Sequence, residues 1–382
     1  MNKNRIRLAV LAALMFGLCC AASAVDKEEA LEVAAKRNDV VAAQRLIAEG
    51  VNVNARDANG WTALMSAASN NSVDVAKLLI AAGASPNARS NYGYTALMSA
   101  ASKNSADVAK LLIAAGADLN ERNYDGYTAL ELVARNNSVD VAKLLIAAGA
   151  DVNEAFHYGR TVLMHAAERN SVDVAKLLIA AGADVNAEDN QGYTALYKAA
   201  KGNFMNMVKL LMAAGVDVNA ENRYGITALR EAASNNSVDM AKLLIEVGAD
   251  VNAKSDYGST ALLSAASNKS VDLARLLIEA GADVNATRSN GITALMHAAG
   301  NNSVDMAKLL IEVGADLNAK DKDGITALMY AARYSSVDVA KLLIEAGVDL
   351  NAKDGRGRTA LNFAQSYQSI RSEILLKDAG AR

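Results

Sequence analysis

The chain is poor in cysteine, proline and aromatic residues, and each shortage excludes something. Its only cysteines, Cys19 and Cys20, both lie near the N-terminus. A chain that sheds that segment keeps none, which excludes disulfides, thiolate catalysis and cysteine-ligated metals. There is one proline, Pro86, and aromatics make up 4%, so an apolar content of 52% comes mostly from Ala, Leu, Val and Ile. With that apolar content and 21% charged residues, intrinsic disorder is excluded. The 25 glycines in 382 residues are too sparse for collagen. A formal charge of −3 supplies no basic footprint, so nucleic acid is not an expected partner.

The longest uncharged apolar run is at the start. Lys3, Arg5 and Arg7 precede Leu8 to Leu18, and Ala22-Ser23-Ala24 follows as a small-residue site. This three-part layout predicts a secretory signal peptide over residues 1–24, cleaved before Val25. The run is short for a membrane span, which needs about 20 apolar residues. Neither cysteine has the surroundings of a lipoprotein site. Cleavage removes Lys3, Arg5 and Arg7, so the mature chain would carry −6. The expected location is the bacterial periplasm or the medium, with no membrane span after cleavage.

A strict repeat organises the remainder. Gly-x-Thr-(Ala/Val)-Leu recurs with its glycine every 33 residues, from Gly60 to Gly357. A second glycine recurs with the same period from Gly50 to Gly380. A fixed period of this size signals a stacked array. In the unit from Asp57 to Arg89, Thr62 is placed to cap a helix over 63–69, and Asn70-Asn71 to end it. Ser72 is expected to cap a second helix over 73–82 that stops at Gly83, with Asp74 in its first turn. That helix is apolar almost all round, so neighbours must cover it.

A 33-residue helix–turn–helix unit with Gly149-Ala150-Asp151-Val152-Asn153 and Gly159-Arg160-Thr161-Val162-Leu163 resembles the ankyrin repeat. The resemblance implies an all-α ankyrin-repeat solenoid of eleven helix pairs with extended, finger-like turns between repeats. The expected organisation after the leader is an N-terminal cap over 25–56, nine full repeats over 57–353 and a C-terminal cap over 354–382, a complete array. Ser372 and Glu373 replace apolar residues of inner units and are expected to give the last unit a polar outer face. Thr62-Ala63-Leu64-Met65 stands where the family has Thr-Pro-Leu-His, which predicts weaker helix starts and less rigid loops. Lys201 to Val208 breaks the pattern, losing the Ser and Asp of the second helix; it reads as the junction of two duplicated blocks or as a soft point in the stack.

No Ser-His-acid arrangement, phosphate loop or paired carboxylates stand out, so neither catalysis nor a cofactor or metal is expected. His165 and His297 share one register position, and His157 lies on a turn where it could meet His165; all three read as surface polar residues. The functional signal is aromatic. The two sites before each finger glycine and the one after it hold nine of the thirteen Tyr and Trp of 25–382: Trp61, Tyr92, Tyr94, Tyr124, Tyr127, Tyr158, Tyr193, Tyr224 and Tyr257. Chance would place about one there. The resemblance implies fingers along a concave surface that binds other proteins, and aromatic rings suit such contacts. The alternative is rings that stack on one another and only stiffen the row. Expected, therefore, is a monomeric, exported scaffold for an unknown protein partner. A secreted effector aimed at a host protein, or a carbohydrate or small-ligand binder on the aromatic row, are the alternatives.

Overall fold

The structure, a computed structural model, describes residues 27–382. The expected leader and both cysteines lie outside the described residues. The chain forms two compact units, one ending at Val185 and the other beginning at Asn186. Among the described residues there are twenty-two α-helices in eleven pairs and no strand, only the isolated bridges Ala155–Thr161 and Thr287–Thr293. The first pair covers 27–37 and Val40–Ala48. No described helix is long and apolar enough to cross a membrane.

The reference unit shows why these residues form these elements. Thr62 is extended (φ −104°, ψ 161°), and its Oγ1 accepts from the Met65 N–H at 3.3 Å, opening the helix Ala63–Ser69. Thr95, Thr128, Thr161 and Thr194 repeat the device. The helix starts therefore keep their caps without the family's proline. Asn71, with φ +52°, turns the chain in the left-handed region that Asn tolerates. The second helix, Val73–Ala81, ends in a Schellman motif: Ala84 N–H donates to Leu79 O and Gly83 N–H to Ile80 O. Gly83 is required by its φ of +87°, not by space, since an added Cβ there would touch nothing.

The serines before the second helices do not act as expected. Ser72, Ser105, Ser138 and Ser171 occupy the cap position, but none makes a side-chain capping bond. Their ψ of 69–78° differs from the extended ψ of the capping threonines, and Ser72, Ser105, Ser138 and Ser171 are buried instead. In the first unit the asparagine one repeat earlier takes over. Asn38, Asn71, Asn104 and Asn137 accept, through Oδ1, from the N–H groups of Val75, Val108, Val141 and Val174. The left-handed Asn thus turns its own repeat and caps the next.

Within each unit, first helices stack on first helices and second on second. The core is a set of columns: Leu64, Met65, Ala67, Ala68, Val75, Ala76 and Leu79 are all fully buried, and their equivalents recur along the chain. Packing of neighbours covers the apolar second helix, as its composition requires. At the C-terminal end Ser372 is buried, not outward, and its hydroxyl has no partner. It stands in the register of Val75, a core column, while the outward positions of Ile370–Asp378 include the exposed Ile370 and Ile374. The irregular segment keeps the same helix bounds, Ala195–Lys201 and Met205–Ala213.

Candidate functional site

Six of the ten fingers rest on one hydrogen-bonding device. Asp57 Oδ1 accepts from the N–H groups of Asn59 and Trp61 at 2.8 and 2.7 Å. Ser90, Asp189, Asn222, Asp321 and Asp354 repeat this two-bond turn in their own fingers. Neighbouring fingers are then tied by backbone bonds. In the first unit Asn91 N–H donates to Asn59 O and Tyr124 N–H to Tyr92 O; in the second, Arg223 to Gln191, Asp256 to Tyr224 and Ser289 to Tyr257. Arg89 pairs with Glu121 and Arg122 with Glu154 across successive fingers.

The nine aromatic residues divide into two sets. Tyr92, Tyr124, Tyr158, Tyr224 and Tyr257, before the finger glycine, are true tips, 45–77% exposed. Trp61, Tyr94, Tyr127 and Tyr193, after the glycine, are half-buried at the finger base. There Tyr127 meets the His165 ring edge-on at 5.9 Å and carries Arg135 over its face at 4.4 Å. Tyr193 packs on Tyr197 at 4.5 Å with Lys198 at 4.3 Å. Tyr92 and Tyr124 are brought to adjacent fingers by the backbone bond between them. No ring pair among the described residues joins one tip to the next.

The finger at 156–160 departs from the rest. Phe156 stands where all the other fingers but one, with Arg288, have Asp, Asn or Ser, so the loop loses its side-chain acceptor. Tyr158 is left-handed there (φ +64°), the one non-glycine finger residue to be so among those described. The His157 ring lies where a Cβ on Gly126 of the preceding finger would be, so Gly126 serves both its φ of +81° and that approach. Between these two fingers opens a groove of about 560 Å³. Its lining includes Tyr127, Glu131, Arg135, Tyr158, Arg160 and His165.

Sequence reasoning missed the floor of this groove. Glu131 and His165 are both buried, so His165 is no surface residue; His157 is exposed and His297 half-buried. Glu131 Oε2 accepts from Thr128 N–H at 3.2 Å in a capping box, and Oε1 lies 3.3 Å from His165 Nε2. His165 Nδ1 is 4.0 Å from Glu168, which accepts from Arg160 at 2.6 Å. Burial pushes the Glu131 carboxyl up from 4.5 to about 8. It pushes His165 down from 6.5 to about 4, with Arg160 assisting. Both are therefore neutral at pH 7. The one signal in the sequence was a Glu in a register otherwise held mostly by Met. His157 and His165 do line the same groove, but no group of three metal-ligating side chains lies among the described residues.

A second aromatic cluster also lay outside the tip count. In the last repeats Tyr330 stacks on Tyr334 at 6.4 Å and Phe363 on Tyr367 at 6.3 Å. Arg333 lies between Tyr334 and Tyr367 at 5.3 and 5.1 Å.

A family model described as ankyrin repeats, in three copies, matches the chain in overlapping windows: 9–90, 31–123, 87–156, 154–222, 182–255, 205–288, 262–354 and 295–381. A search among curated proteins returns no match.

Proposed function

The chain belongs to the ankyrin-repeat family, and from that premise we propose that it is an exported, non-catalytic scaffold that binds a protein partner through its aromatic fingers. Ankyrin repeats are generally protein–protein interaction scaffolds. The observation that carries the assignment to the fingers is the set of five exposed tip tyrosines. They stand on loops held by backbone bonds and pack on no neighbouring tip. Tyr124 lies under Arg89 at 5.8 Å, and exposed rings of this kind offer large contact area at small entropy cost, the usual material of interface hot spots. Trp61, Tyr94, Tyr127 and Tyr193 support that surface from below.

Export rests on the basic start, apolar run and small-residue site of 1–24. It places the mature protein, starting at Val25, in the periplasm or the medium of a bacterium, as a monomer with terminal caps over 25–56 and 354–382. The test is affinity capture from native periplasm and medium with residues 25–382, repeated with Tyr92→Ala plus Tyr124→Ala. A partner retained by the parent and lost by the variant supports the reading. Equal capture by both rejects the tips as the binding surface, and a full-length, membrane-embedded product in the cell rejects export.

A further inference from the structure

We propose that the groove between the fingers at 123–127 and 156–160 is a carboxylate site, which takes the side chain of an aspartate or glutamate in a partner polypeptide. The proposal deepens the reading of the fingers as a protein-binding surface and rests on it. Two polar atoms in the groove wall are buried and make no hydrogen bond: Arg160 Nε, and Glu131 Oε1, whose one near neighbour is the neutral His165 Nε2 at 3.3 Å. A buried polar atom in that state carries a desolvation cost that a ligand can relieve. Glu131 Oε2 is engaged with Thr128, and Arg160 Nη2 with Glu168. Arg135 lies over the Tyr127 ring and makes no ion pair among the described residues.

The floor is therefore rich in donors. An incoming carboxylate would place one oxygen on the Arg160 Nε–H and turn the other toward Arg135. Burial keeps Glu131 protonated at neutral pH, so it adds an O–H donor and no repulsion. A lysine would instead meet two guanidinium groups, and the one acid beside them, Glu168, is paired with Arg160 and does not line the groove. The only carboxylate at the rim, Asp125, is exposed, where solvent screens it. Tyr127 and Tyr158 flank the opening, which suits an acidic residue with apolar neighbours. The left-handed Tyr158 and the loss of the finger acceptor at Phe156 fall at this groove, and such local strain concentrates at ligand sites.

The three histidines make the test specific, since two line the groove and His297 does not. The whole protein, labelled with ¹⁵N and ¹³C at histidine, would be titrated at pH 7 with acetyl-Leu-Glu-Leu-amide. The Gln and Lys versions of the peptide serve as competitors of equal size. The expected result is a saturable shift of the His157 and His165 ring signals with His297 unmoved. The Glu peptide should bind at least about tenfold tighter than the Gln peptide. Arg135→Gln should weaken it by a similar factor, and Arg135→Lys should restore part of the loss. Glu131→Gln should preserve binding within about threefold at pH 7, because the amide N–H donates in place of the acid. Equal binding of Glu and Gln peptides, tighter binding of the Lys peptide, or an Arg135→Gln variant that binds as the parent does would overturn the site. So would the absence of any saturable shift. If these fail while the tip substitutions still release a captured partner, the carboxylate site alone falls. If the tip substitutions also leave capture unchanged, the surface reading falls with it.

Discussion

Two regions of the chain, four repeats apart, begin alike and end differently. Leu163-Met164-His165-Ala166-Ala167 and Leu295-Met296-His297-Ala298-Ala299 are the same local sequence in the same register. Both follow fingers that lost their acceptor, to Phe156 and to Arg288, and both fingers carry an isolated bridge. Yet His165 lies beside Glu131 and Glu168, whereas His297 Nε2 has no partner. Burial, with Arg288 assisting, pushes His297 down to about 4. The residue one repeat earlier decides the outcome: Glu131 in one region, Leu263 in the other. Arg160 and Glu168 are likewise replaced by Ile292 and Gly300. Register places a side chain; the adjoining repeat gives it its chemistry.

The largest effect tests whether the regions differ only at their surfaces. Leu145 and Leu277 occupy the same register position, one in each unit, and are both fully buried. Leu145→Ala and Leu277→Ala should each cost ~2–5 kcal/mol through a cavity, read by chemical denaturation. Costs that differ by more than the usual context spread would show that the two cores are not equivalent.

The tips should break the likeness. Tyr158 is 77% exposed, and its counterpart is Asn290. Tyr158→Asn should weaken binding of a captured partner by about 2 kcal/mol if Tyr158 is a hot spot. The thermal midpoint should hold or rise, because Asn suits a left-handed site better. Asn290→Ala should leave affinity unchanged. A fall in midpoint with affinity intact would return the row to a stiffening role.

The titrating groups separate the regions by pH. A carboxyl raised from 4.5 to about 8, as in Glu131, holds a proton in the folded state that the unfolded chain has released. Stability therefore falls as pH rises through that window. A histidine lowered from 6.5 to about 4, as in His165 and His297, does the opposite, and stability rises between those values. Glu131 and His165 offset each other from pH 4.5 to 6.5, leaving His297 to raise stability there. Above pH 6.5 the Glu131 contribution stands alone and removes on the order of 2 kcal/mol by pH 8. Glu131→Gln should flatten that alkaline limb, and His297→Gln should flatten only the acid one. Urea midpoints between pH 5 and 8 measure both; an unchanged alkaline limb in Glu131→Gln would contradict the raised carboxyl.

The smallest effect concerns the caps. Asn137 turns the chain at φ +53° and accepts from Val174 N–H. At the same register Lys269 turns at φ +60° and has no acceptor to offer Met306. Lys269→Asn should therefore stabilise by about 1 kcal/mol, through the cap and the left-handed backbone together. Ser270→Ala, which removes a hydroxyl that caps nothing and has no partner, should change stability by less than about 0.5 kcal/mol.

The repeat, the helix bounds and the turns were determined by the sequence alone, because each depends on residues close together in the chain. Thr62 reaches Met65, Gly83 supplies a positive φ, and apolar spacing selects the helical face. Only the tertiary structure decided which aromatics stand free, that Asn71 and not Ser105 caps the next repeat, and that Ser372 turns inward. It alone set Glu131 against His165. All of these depend on side chains about one repeat apart along the chain that meet only when repeats stack. The period aligns such positions, but it does not state which atoms face each other, which hydroxyl loses water, or which carboxyl keeps its proton.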